Sequence, residues 1–223
     1  MRGIFVTGTG TEVGKSVVAA AVCAVLAERG ERVAAFKPVV TGLDDSGGDW
    51  PPDHELLAAV ARSGQAPAAV APYRFGPAVS PHYAAQLAGA VIEPRTLVEA
   101  ARTAAANADA LVCEGVGGLL VPITPGYLVR DLGVDLGLPV VVAAHTGLGT
   151  INHTLLTVEA ARAAGLNVAG VVMTPWSDQP APIETSNRTT VERLAGVPVS
   201  GLPRTAPAAL AAAGEALPVD DWL

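Results

Sequence analysis

Two cysteines, three each of phenylalanine, tyrosine and tryptophan, and 14 lysines and arginines against 21 aspartates and glutamates put several kinds of protein out of reach. Cys23 and Cys113 fall in an apolar helix face and an apolar strand and form no Cys-x-x-Cys, so buried free thiols are expected rather than a disulfide or a metal pair. The four histidines (His54, His82, His145 and His153) are scattered at spacings that suggest no zinc. The net charge of −7 is spread along the chain, and no basic stripe tracks a nucleic-acid backbone or an anionic membrane. The longest apolar run near the N-terminus, residues 17–27, is too short to span a bilayer. With Ile4 already opening a strand, no charged leader precedes it, and the expected location is the cytoplasm.

What the chain has in abundance is apolar residues, at 50%, with 16% charged, over 223 residues. That composition and length fit one α/β domain over residues 1–223 with a sizeable core. Short apolar runs recur at 4–6, 33–36, 111–113, 140–144 and 168–173, and a further one at 197–201 offers another strand. Between them, 17–28, 97–106 and 154–164 are alanine-rich with helical periodicity. Continuous apolar strands alternating with helices predict a mostly parallel sheet covered on both faces. No repeat or low-complexity linker interrupts the pattern.

The first strand runs into Val6-Thr7-Gly8-Thr9-Gly10-Thr11-Glu12-Val13-Gly14-Lys15-Ser16, and a helix is expected from Lys15 through Glu28. Strand, glycine-rich turn and helix start in that order converge backbone N–H groups on one point, where the helix dipole adds positive potential. Lys15 is placed to reach β- and γ-phosphates and Ser16 to ligate the accompanying Mg²⁺. The expectation is a nucleoside triphosphate site. Gly8 and Gly14 enclose five residues where the usual pattern has four, which changes how the loop cradles phosphate but not whether it does.

Ligands of such sheets sit beyond the carboxyl ends of the strands, which selects the loops at 7–16, 37–53, 114–122, 145–152 and 174–184. Lys37 ends an apolar strand beside the phosphate loop and is read as a second cation facing the phosphates, rather than an ordinary strand-end lysine. Asp49 and Asp53 follow in a Gly/Pro-rich stretch, as solvated or capping carboxylates or as part of a magnesium shell. Glu114 directly follows a buried strand and precedes Gly115, Val116, Gly117 and Gly118. A carboxylate there is costly unless it meets a cation, so it reads as a metal ligand. The run His145-Thr146-Gly147-Leu148-Gly149-Thr150-Ile151-Asn152 lacks lysine and arginine and offers either a second anion site, suited to a carboxylate, or merely a capped helix.

These residues together, with Phe36-Lys37-Pro38, Thr41-Gly42, Ser80-Pro81-His82 and Gly149-Thr150-Ile151-Asn152-His153, resemble the dethiobiotin synthetase family across essentially the whole chain. The resemblance implies a cyclo-ligase of biotin biosynthesis that closes a ureido ring from 7,8-diaminononanoate, CO₂ and a nucleoside triphosphate. It implies a homodimer with the substrate pocket at the subunit interface. Lys15, Lys37 and Thr11 would act in catalysis. Nucleotide contacts would come from Glu12, Val13, Gly14, Lys15, Ser16, Val17, Asp49, Glu114, Gly115, Val116, Gly117, Thr174, Pro175, Leu202, Pro203 and Arg204. Thr41, Gly149, Thr150, Ile151 and Asn152 would hold substrate, and Ser16, Glu114 and Asp49, with Asp53 in reserve, would hold Mg²⁺.

One departure stands out. Where many family members carry an asparagine that reads adenine, this chain has Met173-Thr174-Pro175-Trp176. Threonine cannot match adenine's donor and acceptor together, so the base preference is open. A rival reading is another amide-forming P-loop ligase. A second is a nucleotide-switched partitioning ATPase, which usually carries a signature lysine five residues before the catalytic one, where this chain has Gly10.

Overall fold

The computed structural model describes residues 1–45 and 50–223. In chain order the strands are β1 (Gly3–Gly8), β2 (Val33–Phe36), β3 (Val39–Val40), β4 (Tyr73–Arg74), β5 (Ala110–Glu114), β6 (Pro122–Thr124), β7 (Tyr127–Leu128), β8 (Val140–Ala144), β9 (Val168–Trp176) and β10 (Val199–Pro203). The helices are α1 (Lys15–Glu28), α2 (Asp53–Ala61), α3 (Pro67–Val70), α4 (Pro81–Leu87), α5 (Pro94–Ala105), α6 (Val129–Leu136), α7 (Thr150–Ala163), α8 (Pro182–Ala195), α9 (Leu210–Gly214) and α10 (Val219–Trp222). None of the described helices is long and apolar enough to cross a membrane.

Six strands form one parallel sheet in the order β10-β9-β8-β1-β5-β2. The expected α/β class, parallel and covered on both faces, is the observed one. Alternation sorts the side chains: Ile4 and Val6 join the core under α1, and Phe5 joins the core on the opposite face. Helix α1 is buried almost all round, Val18 through Leu26, because α2 and α9 close over the side that the sheet leaves open. Both cysteines are free and buried, and burial pushes their thiols up.

The sheet order positions the site. The connection from β1 through α1 to β2 skips one place, and β5 fills it. Register then aligns Val6 with Glu114 and Phe36 with Cys113. One residue beyond each aligned position, Lys37 and Glu114 come side by side at the carboxyl edge, next to the phosphate loop.

Several expected elements shift their ends, among them the strand read as 197–201, which runs Val199–Pro203. The helix read as 154–164 starts at Thr150, because Gly149 at φ +92° turns the chain into it. The helix read from 97 starts at Pro94, since proline suits a first helical turn. The strand read as ending at 173 continues to Trp176, held by pairing of Trp176 with Pro203 of β10. Helices α2 and α8 lay outside the apolar pattern. In α8 only Asn187, Val191 and Ala195 are buried.

Candidate nucleotide and substrate site

The phosphate loop folds back tightly over its own start. A Cβ at Gly8 would stand 2.6 Å from Val13 Cγ2 and 2.8 Å from Lys15 Cγ, so only glycine leaves room there. Gly14 caps α1 at φ +86°, and its missing Cβ is faced by Thr174 Cγ2 at 2.4 Å from that position. Val13 is buried, Thr11 and Glu12 are exposed at the mouth, and Glu12 adopts φ +60°. The Lys15 ammonium donates to Gly10 O at 2.7 Å. Burial pushes Lys15 below the ordinary lysine range, with Lys37 adding to the effect and Glu114 opposing it.

Beside it lies a cleft of about 780 Å³. Thr11, Glu12, Gly14, Lys15, Ser16, Val17, Lys37, Thr41, Asp53, Glu114, Val116 and Gly117 are among its lining residues. At its floor Lys37 Nζ meets Glu114 Oε1 at 2.5 Å and Asp53 Oδ2 at 2.7 Å. The Ser16 hydroxyl donates to the same Glu114 Oε1 at 2.8 Å and also meets the Asp53 carboxylate. Burial alone would discharge Lys37, but the two carboxylates outweigh it and hold its pKa above the ordinary lysine value. Burial raises the Glu114 carboxyl against the pull of Lys37. Burial also pushes Asp53 up, but the charge and hydrogen bond of Lys37 prevail and its pKa is lowered.

Glu114 is fully buried, and its Oε2 has no hydrogen-bond partner among the described residues. An orphaned carboxylate oxygen beside a second carboxylate and a hydroxyl is an all-oxygen donor set that suits a hard divalent cation. Among the described residues no group of three acidic, histidine or cysteine side chains could hold a metal alone. That is the usual situation for Mg²⁺, which takes one or two carboxylates and completes its shell with waters and phosphates. Asp49 lies outside the described residues. Among the described residues Asp53, at the head of α2, is the aspartate that reaches the cluster.

The other expected contacts divide. Gly115 spends its N–H on Val6 O at 2.8 Å, so it ties β5 to β1 at the cleft edge. Thr174, Pro175, Leu202, Pro203 and Arg204 come together on the far side of the phosphate loop through the pairing of β9 with β10. There the Thr174 side chain is buried against Gly14, Leu202 is buried in the core, and Pro175 and Arg204 are exposed. Trp176 is held beneath Arg188, whose guanidinium carbon lies 5.2 Å from the ring centroid.

Gly149, Thr150, Ile151 and Asn152 start α7 and do not line the cleft within one chain. The loop before them offers fewer free donors than its sequence suggested. Thr150 N–H is spent on Gly147 O at 3.3 Å, and the Thr150 hydroxyl on His145 O at 2.6 Å. Among the described residues, Ile151 N–H and Asn152 N–H have no recorded protein acceptor. Sequence reasoning missed Asn187, which donates to this loop from α8. Its signal was a polar residue in the stripe 187, 191, 195, where the helix otherwise buries valine and alanine.

A family model described as an AAA domain matches residues 2–205. The chain is 43% identical over 194 residues to the ATP-dependent dethiobiotin synthetase BioD of Anaeromyxobacter dehalogenans strain 2CP-1, covering 87% of this chain and 86% of that protein. It is 35% identical over 202 residues to the enzyme of the same name from Bacillus subtilis strain 168, covering 91% and 87%. The chain belongs to the dethiobiotin synthetase family. Among solved structures, a ParA family ATPase from Chlorobium tepidum matches with a TM-score of 0.55 at 13% identity, over 98% of this chain and 92% of that one. The septum site-determining protein MinD with Mg-ADP from Pyrococcus horikoshii matches at 0.53 and 16%, over 99% and 88%. At such identities these two show a shared overall fold and nothing of function.

Proposed function

We propose that this chain is a cyclo-ligase that forms dethiobiotin from 7,8-diaminononanoate, CO₂ and a nucleoside triphosphate, working as a homodimer with Mg²⁺. Beside the family membership, the observation that carries this reading is Lys37, held between Glu114 and Asp53 at the floor of a cleft that begins at the phosphate loop.

The chemistry asks for positioning and charge stabilisation. One substrate amine adds to CO₂ and loses a proton, giving a carbamate. A carbamate oxygen then attacks the γ-phosphorus, and the nucleoside diphosphate leaves. The second amine attacks the carbamoyl carbon of that mixed anhydride, loses its proton, and phosphate leaves as the ring closes. Negative charge collects on carbamate and γ-phosphoryl oxygens, where preorganised cations act most strongly. Lys15 and Lys37 would flank that position, and Thr11 and Thr41 line the same cleft, where their hydroxyls would serve as donors. Ser16, Glu114 and Asp53 would hold Mg²⁺, which would neutralise β- and γ-phosphate oxygens.

The base would sit on the far side of the phosphate loop, near Thr174, Pro175, Leu202, Pro203 and Arg204. With Leu202 buried, that residue offers only backbone groups. The start of α7 would take the carboxylate of a diamine bound to the other subunit, since it stands outside its own cleft. The test is incubation of the protein with 7,8-diaminononanoate, bicarbonate, Mg²⁺ and each of four nucleoside triphosphates, with dethiobiotin detected by mass spectrometry. No product with any triphosphate would refute the reading.

A further inference from the structure

Asn187 sits where an apolar residue belongs. It is 6% exposed, one helical turn before Val191 on the buried stripe of α8. A buried amide there is costly unless its hydrogen bonds are made. They are made to one place: Nδ2 donates to Thr146 O at 2.9 Å and to Gly147 O at 3.0 Å. Glu184, one turn earlier on α8, hydrogen-bonds Thr146 as well. Two residues of α8 thus grip the loop that leads from β8 into α7, some 40 positions earlier in the chain.

The grip fixes which way the loop's amides face. In a trans peptide the C=O of one residue and the N–H of the next point in opposite directions. Drawing the carbonyls of Thr146 and Gly147 inward to Asn187 therefore turns the N–H groups of Gly147 and Leu148 outward. They face away from the Asn187 amide. Without Asn187, Thr146 O would lose its backbone-directed donor and Gly147 O would keep only the longer bond from Thr150 N–H, so the Thr146 peptide plane could turn over to present an oxygen where an anion is to bind.

We infer that Asn187 is a positioning residue that holds the Thr146-Gly147-Leu148 loop as a preformed cradle for the substrate carboxylate. The inference rests on the cyclo-ligase reading and on the carboxylate site at α7. Asn187 touches no reacting atom. Its effect is confined to the end of the substrate that does not react.

Steady-state kinetics of the full-length enzyme test this with two probes: 7,8-diaminononanoate and 2,3-diaminooctane, the same vicinal diamine without its carboxylate. Asn187→Leu keeps the volume and removes both donors, and Asn187→Ser, run in parallel, is the milder change. For 7,8-diaminononanoate, either variant should raise KM about tenfold or more, the usual scale for hydrogen bonds that serve a charged group, with kcat and nucleotide KM little changed. For 2,3-diaminooctane, kcat/KM should stay at the wild-type value. Equal losses for both diamines, or an unchanged KM for 7,8-diaminononanoate, would overturn the inference. A wild-type enzyme that makes no dethiobiotin would instead refute the function on which it rests.

Discussion

At the scale of single residues the site depends on a cation held by anions. Lys37 is buried with two carboxylates, and in the proposed reaction its charge would face the negative charge that gathers on the transferring group. Lys37→Ala should lower kcat about 10²- to 10³-fold with little change in nucleotide KM, the usual cost of one preorganised charge contact. Turnover within a few-fold of wild type would remove Lys37 from the mechanism. The aspartate proposed for the metal shell is tested in the same way. Asp53→Asn and Glu114→Gln should each shift the Mg²⁺ titration of activity to higher concentration, and Asp49→Asn should leave it in place. A shift in Asp49→Asn alone would reassign the metal.

Lys15 carries the pH signature. Burial lowers its pKa in the fold, so between the folded and unfolded values the unfolded chain binds the extra proton and stability rises with pH. Lys15→Met lacks that contribution, whereas Cys23 and Cys113 titrate alike in both proteins. Wild-type stability relative to Lys15→Met should therefore climb as pH rises toward the unperturbed lysine value of about 10.4 and level off above it. Thermal unfolding of the nucleotide-free proteins measures this, and parallel curves would contradict it.

At the scale of elements, much depends on where one strand or helix meets another through a missing side chain. Thr174 on β9 fills the space over Gly14, so the end of β9 supports the turn that starts α1. Gly14→Ala places a Cβ into Thr174 Cγ2 and a non-glycine residue at φ +86°. The backbone term alone costs roughly 1–2 kcal/mol, and the collision adds to it. Thr174→Ser in the same chain removes the methyl and should recover the collision part while leaving the backbone part. Urea unfolding of the single and double variants separates the two, and a double variant no more stable than Gly14→Ala would show that the methyl is not what Gly14 avoids. This contact also explains a limit of the sequence reading. Thr174 stands where the family's adenine reader is expected, yet it is spent on packing beneath the phosphate loop. The strand continues through Pro175 to Trp176, which Arg188 covers.

At the scale of the whole molecule, the wall formed by β9 and β10, where we propose the base sits, presents no free asparagine-like side chain from Thr174 or Leu202. A bidentate base contact contributes about 1–3 kcal/mol, so its loss flattens an adenine preference of roughly tenfold or more. The expected outcome of competing four triphosphates, with diamine and bicarbonate saturating, is no clear ATP preference, with a pyrimidine triphosphate able to compete. A strong preference for ATP over every rival would mean that backbone groups along β9 and β10 read adenine unaided.

The sequence by itself determined whatever depends on neighbours along the chain. The step from β1 through a glycine turn to α1 is local, and so is the alternation that sends Ile4 and Val6 to one face and Phe5 to the other. Lys15 and Ser16 follow from that step. The apolar runs also located all six strands of the main sheet, because a strand buried on both faces admits few polar residues. Only the tertiary structure decided which strands are neighbours. Placing β5 between β1 and β2 brings Lys37 to Glu114 across 77 positions of chain, and α2 then delivers Asp53 to the same ammonium. The same holds for Asn187, whose two acceptors lie on a loop before α7. Period and propensity fix the face a residue takes but carry no information about the partner on that face. The partner is set by sheet order and register, which the chain reaches only when the long-range contacts form together.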